Sequence, residues 1–259
     1  MFIVRKLAAL VLLLVLSVAA SACVINIGGV GAISTDSTYG SQGLLSGGET
    51  ALATFDFAVT GNILTLTVTN TSPALVTIME PEGDAPVISD MFFHTPSVVT
   101  DMEFLTGGGV AAGSSGWDFL FDPNNTPTTG FGFLKKVFDA GIEGGPGSGS
   151  PDPVIASMFD PNIWDGPGDP MASPVLFTFA LTFEDNEIPV GFSGCWFTHY
   201  DIIGYPEYLG AAKFMSGANG GSATVTNGGD GGGHQIPEPA SIALLAMGLL
   251  AAGFGRRRS

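Results

Sequence analysis

Apolar and polar residues alternate with a period of two through much of the middle of the chain. Over 63–69, Leu64, Leu66 and Val68 fall on one side and Thr65, Thr67 and Thr69 on the other. That is the pattern of a half-buried strand with a threonine-covered outer face. Just before it Ala53, Phe55, Phe57 and Val59 alternate in the same way, and Gly61-Asn62 supplies a two-residue hairpin turn between the runs. Asn70-Thr71-Ser72-Pro73 ends the pair. Farther on, Val175, Phe177, Phe179, Leu181 and Phe183 share a face, with Thr178 and Thr182 opposite, and Glu184-Asp185-Asn186 turns the chain. Residues 190–200 are predicted to be a partner strand. Shorter strands are predicted over 75–79, 87–93, 102–105 and 117–121, and single helical turns over 134–140 and 154–159. The Pro- and Gly-dense stretch 122–174 predicts long loops. Together these elements predict an all-β fold, an antiparallel β-sandwich ectodomain over residues 23–215 with long Gly/Pro-rich loops.

Both ends break this pattern. Arg5 and Lys6 precede an unbroken apolar run over 7–16, and Ala20-Ser21-Ala22 has the small-x-small form of a cleavage site ahead of Cys23. Residues 1–22 therefore predict a secretory signal helix, too short to span a bilayer comfortably and removed by signal peptidase. An uncleaved anchor is the plainer alternative. At the other end, 216–235 is rich in Gly, Ser, Thr and Asn without apolar periodicity and reads as a flexible linker. Ile236-Pro237-Glu238-Pro239 follows, then an apolar, uncharged run over 240–255, closed by Arg256, Arg257 and Arg258. The prolines start a helix but cannot continue one from upstream. The helix is predicted to sit in the inner membrane with its arginines on the cytoplasmic side and the body outside. An ordinary tail anchor would explain the helix and the arginines but gives no reason for Pro-Glu-Pro.

Residues 236–259, with Pro237, Glu238 and Pro239, the apolar helix and the Arg256–258 cluster, resemble the PEP-CTERM sorting signal of exported bacterial proteins. The resemblance implies that exosortase, a membrane-embedded cysteine transpeptidase, recognises and cleaves the tail. It also implies delivery to the cell envelope or extracellular matrix, often in bacteria that make exopolysaccharide. On this reading Pro237, Glu238 and Pro239 are recognised residues and not catalysts. The body is similar only in style to the β-rich ectodomains found ahead of such tails, and that likeness transfers no activity.

Charge narrows the partners. The formal net charge is -16, from 8 basic and 24 acidic residues. With both ends set aside, Lys135, Lys136 and Lys213 face every acidic residue but Glu238. So acidic a body repels phosphate backbones and argues against nucleic acid. It suits cations, or simply solubility outside the cell.

Cys23 and Cys195 are the only cysteines, and two readings stand. In an oxidising space the pair forms a disulfide. Alternatively Cys23 is lipidated, although Ala20-Ser21-Ala22-Cys23 lacks the usual leucine of a lipobox and a lipid would make the sorting tail partly redundant. Cys195 and His199 lie four apart, roughly 13 Å along a strand, too far for a nucleophile–base pair. His94, His199 and His234 lack zinc-ligand spacing. Asp122 and Asn124 in one loop, and Asp160, Asp165 and Asp169 in another, are weak calcium candidates, since Asx turns explain them equally well. No nucleophile elbow, phosphate loop, dinucleotide fingerprint or His-Glu-x-x-His occurs, so no catalytic residue and no cofactor is assigned. The function expected is that of a non-enzymatic surface or matrix protein. A calcium- or carbohydrate-binding adhesin is the alternative, with Trp117, Trp164 and Trp196 as sugar-stacking candidates that core packing would equally occupy. A secreted hydrolase is the remaining class.

Overall fold

The alternating runs become strands in the computed structural model, which describes residues 23–29, 32–34, 50–74, 85–122, 138–144, 152–159, 168–198, 208–215 and 222–228. In chain order these are β1 Cys23–Ile27, β2 Ala32–Ser34, β3 Ala53–Thr60, β4 Ile63–Asn70, β5 Val87–Phe93, β6 Val99–Gly107 and β7 Val110–Ala111. There follow β8 Trp117–Phe121, β9 Ala140–Gly144, β10 Pro153–Ile155, β11 Asp169–Met171, β12 Val175–Phe183, β13 Gly210–Met215 and β14 Ser222–Gly228. The hydrogen-bonded order is β11-β10-β5-β13-β14-β1-β3-β4-β12-β6-β7; β2 also lies beside β14, and β9 links β5 to β8. The strand pairs are antiparallel, except that β10 and β11 run parallel.

The all-β, antiparallel class is as expected, but the two separate sheets of a sandwich are not. The strands form one continuous sheet, curled into a half-barrel. Its two halves join where β1 meets β14, at Ile27 opposite Asn227. The bend behind this join lies at Gly28 and Gly29, with φ of 85° and 86°, a region that residues with a Cβ rarely enter. Because of it, β1 runs along β3 while β2 runs along β14.

Curling brings the two inner faces together. Phe57 of β3 meets Phe93 of β5 edge to face at 5.5 Å, and Phe119 of β8 lies 4.7 Å from Phe179 of β12. Every residue assigned to the inner face of β4 and β12 by alternation is buried. Each such aromatic pair adds about 0.5–1.5 kcal/mol beyond the area it removes from water.

Several local expectations are corrected. Residues 222–228, assigned to a linker by composition, form β14 near the middle of the sheet, with Ala223 and Val225 in the core. Their Ser-Ala-Thr-Val-Thr alternation is a weak strand pattern, read as low complexity because glycines flank it. Residues 153–155 pair with Ile88 as a strand where 154–159 predicted a helical turn. Residues 190–198 hold no strand; a 3-10 turn spans Gly194–Phe197. The loop-rich stretch 122–174 contains β9, β10 and β11. Among the described residues no helix is long and apolar enough to cross a membrane. The predicted signal helix, the tail helix and the 75–79 strand lie outside the described residues.

Candidate functional site

The two ends of the body meet in the sheet, and this is where the processing signals of the sequence join the fold. β1 begins at Cys23, the residue after the predicted cleavage site. β14 ends at Gly228, before the predicted sorting segment. Asn227 holds the junction: its side-chain oxygen accepts hydrogen bonds from the backbone N–H groups of Leu209 at 2.7 Å and Gly210 at 3.2 Å. Gly28 N–H donates to the carbonyl of Thr226 at 2.9 Å, adding a bond between the segment after β1 and β14.

Cys23 is buried and stands opposite Phe57 in the β1–β3 register. Its sulfur is joined to that of Cys195, with Cα atoms 4.7 Å apart. The Gly194–Phe197 turn presents Cys195 by lying directly on β3. Gly194 sits against the backbone of Phe57, where a Cβ would collide with the carbonyl. Two residues beyond the cysteine, Phe197 stacks on the Phe57 ring. A sulfur held in a disulfide cannot carry a lipid, so the two readings of Cys23 exclude each other, and the structure carries the disulfide. Cys195 is accordingly no nucleophile, and His199 lies outside the described residues.

A second polar feature was not anticipated. Four charged residues stand in register across four neighbouring strands: Lys213 on β13 opposite Asp90 on β5, Asp90 opposite Glu143 on β9, and Glu143 opposite Asp118 on β8. Lys213 Nζ lies 3.0 Å from Asp90 Oδ2, and Ser89 Oγ donates to the same oxygen at 2.9 Å. Burial raises the Glu143 carboxyl above its usual value; Asp90 and Asp118 push the same way and Lys213 opposes them. Burial also raises Asp56, against a hydrogen bond from the Cys23 backbone. The row joins residues from four distant segments, so no local spacing could have revealed it. The one hint was that lysine is nearly absent from the body.

Other candidates disperse. Asp122 lies after β8, where its N–H donates to the Asp139 carbonyl at 2.9 Å. Asp169 opens β11, where its N–H donates to the Asp152 carbonyl at 2.8 Å. Among the described residues no group of three or more His, Cys, Asp or Glu side chains is placed to hold a metal ion. His94 is buried 3.7 Å from Asp139, whose carboxylate also accepts from Thr95 N–H at 2.8 Å and Thr95 Oγ1 at 2.7 Å. This is a loop-fastening cluster with the imidazole tilted over Phe138 at 5.0 Å. Trp117 is in the core, edge-on to Phe177 at 5.2 Å, and Trp196 packs 5.1 Å from Phe192; burial removes Trp117 as a sugar-stacking surface. Asn124, Asp160, Asp165, Trp164 and His234 lie outside the described residues, as do Ala20, Ala22, Pro237, Glu238, Pro239, Arg256, Arg257 and Arg258.

Comparison with known proteins finds a match in the tail. The family model of the PEP-CTERM protein-sorting motif matches residues 235–259. No curated protein and no solved structure matches the chain.

Proposed function

We propose that this chain, which carries a PEP-CTERM protein-sorting motif over 235–259, is a non-enzymatic display protein of the bacterial surface or extracellular matrix. The motif marks an exported protein sorted to the envelope surface, with exosortase as its processing partner. Beyond that, exosortase recognises Pro237-Glu238-Pro239 and cuts near it, while the 240–255 helix holds the segment at the outer face of the inner membrane. The prolines keep the segment extended and outside any helical ladder, within a protease's reach. The arginines stay on the cytoplasmic side until cleavage.

The body's geometry supports this reading. Removal of residues before Cys23 and of residues after 235 takes none of the described strands from the sheet, because β1 and β14 lie wholly between those points. Processing at both ends therefore leaves the core and the disulfide in place. The match at 235–259 is the observation that carries the proposal. Its test is the intact mass of the protein recovered from envelope and medium, with and without exosortase. The expected wild-type mass lacks the residues before Cys23 and the tail beyond Pro-Glu-Pro, and the tail persists without exosortase. Arg256, Arg257 and Arg258 retained in wild-type cells would reduce the tail to a membrane anchor and sink the proposal.

A further inference from the structure

We propose that Lys213 and Asp90 condense into an amide cross-link between β13 and β5, with Glu143 moving the protons. This modification is independent of sorting, since it needs only the folded body.

The case rests on placement. Lys213 is the one lysine or arginine among the described residues. It stands directly opposite Asp90 in the strand register, with Nζ 3.0 Å from Oδ2. Glu143 stands directly opposite Asp90 on its other side, and side chains so paired have Cβ atoms about 4.5–5.5 Å apart. The site thus holds an amine, a carboxyl electrophile and a second carboxyl in line. The electrophile is the more buried partner, its side chain 12% exposed against 38% for lysine. Ser89 Oγ, donating to Asp90 Oδ2, fixes the carboxyl's orientation.

The step balances. Proton transfer within the pair gives neutral Nζ and the Asp90 carboxylic acid. The Nζ lone pair attacks Cγ and forms the C–N bond. Glu143, whose carboxyl is raised by burial and by its acidic neighbours, donates a proton to the departing oxygen and recovers one from nitrogen. The C–O bond breaks and one water leaves; no oxidant, reductant or activated carrier is consumed. Between free partners in water the condensation is unfavourable. Here folding has already brought them together, and well-oriented groups reach effective concentrations of about 10⁵ M and above.

The test is peptide mapping of the full protein recovered from its native envelope and medium, after trypsin under non-reducing and reducing conditions. The expected product is a peptide pair containing Asp90 and Lys213 that stays joined after the Cys23–Cys195 bridge is reduced and is then lighter by one water than its reduced parts. Trypsin does not cut after Lys213 in it. Lys213→Arg, which keeps the charge but cannot form the amide, gives two peptides that separate once the Cys23–Cys195 bridge is reduced. Glu143→Gln sharply lowers the cross-linked fraction. Unmodified Asp90 and Lys213 peptides from the wild type overturn the proposal, and need no variant to fold. A water loss mapping to an Asp-Gly site such as Asp165-Gly166 is succinimide chemistry and overturns it equally. A full yield of cross-link in Glu143→Gln overturns the proton-transfer role.

Discussion

The ring of Phe197 lies flat on that of Phe57, centroids 5.3 Å apart and planes within 4°. Cys23 stands opposite Phe57, and Cys195 precedes Phe197 by two residues. The β1–β3 pair therefore anchors the turn through both strands, covalently at Cys23 of β1 and by aromatic stacking at Phe57 of β3. Replacing both cysteines by serine is expected to lower stability by about 2–5 kcal/mol, the usual cost of losing a native bridge. The bridge closes a separation of 172 residues, at the favourable end of the chain-entropy relation. Urea unfolding with and without reductant measures the loss. The same reductant should leave the double variant's midpoint unmoved.

Close packing of the turn on β3 gives a second prediction. Gly194→Ala puts a methyl group into the Phe57 carbonyl, and overpacking of this kind costs about 1–3 kcal/mol. Gly113→Ala is the matched control, with open space around its Cβ position. Equal melting temperatures for the two variants would falsify the tight contact.

The strand content was legible where burial is one-sided. In β3, β4 and β12 only the inner face is buried, so the period of two appears in the sequence. β5 is buried on both faces, with Phe93 turned to the main core and Phe92 to a second cluster with Phe138 and Ala211. Its sequence shows a strand but hides which face is which. β14 was missed because its apolar positions are small Ala223 and Val225, framed by glycine runs. The sheet order was not readable at all, since pairs such as Lys213 with Asp90 join strands far apart in the chain. At the chain ends the reverse holds. Pro237-Glu238-Pro239 is a linear signal, read by a partner from consecutive residues, and so the sequence alone displays it.

Asn70 closes the end of β4 and illustrates how the short strands are fastened. Its side-chain amide donates to the carbonyls of Pro86 at 2.7 Å and Ile155 at 3.0 Å, and its oxygen accepts from Ser72 N–H at 3.0 Å. Asn70→Leu keeps similar bulk but leaves those carbonyls and that N–H unanswered in the interior. Each buried polar group left unpaired costs about 1–3 kcal/mol. The variant is expected to be among the least stable single substitutions in the body, as read by thermal unfolding. A loss no larger than that of an exposed threonine change would show that water replaces the amide.

Acid should tighten the charged row. The Glu143 carboxyl is raised above 4.5, first by burial, then by Asp90 and Asp118, with Lys213 opposing. The folded protein therefore holds this proton to higher pH than the unfolded chain does. The corresponding stabilisation is complete below the ordinary glutamate value and is lost as pH rises through the folded one. Burial is the largest cause, so the sign is the same whether Lys213 and Asp90 are an ion pair or an amide. Glu143→Gln is expected to flatten this part of the stability–pH curve. Asp56, raised chiefly by burial, adds a contribution of the same sign that persists in the variant. An unchanged curve in Glu143→Gln would assign the dependence to other groups.

Where the body ends is a question of hydrogen bonding, and two truncations decide it. Residues Cys23–Gly232 form one compact unit. A chain ending at Gly232 keeps every described strand and should unfold at the same urea concentration as the protein with its tail, though it can no longer be sorted. A chain ending at 215, the boundary suggested by composition, lacks β14. That strand pairs with β13 along five residue pairs, Ala211 with Thr226 through Met215 with Ser222, and meets β1 at Ile27. Its loss strips the backbone partners from one side of β13 and opens the seam between the halves of the sheet. It also removes Asn227, the acceptor for Leu209 and Gly210. Buried backbone groups without partners cost too much for a domain of ordinary stability to absorb. The shorter chain is therefore expected to be insoluble or protease-sensitive; a cooperative unfolding transition at the full-length midpoint would mean that the sheet closes without β14.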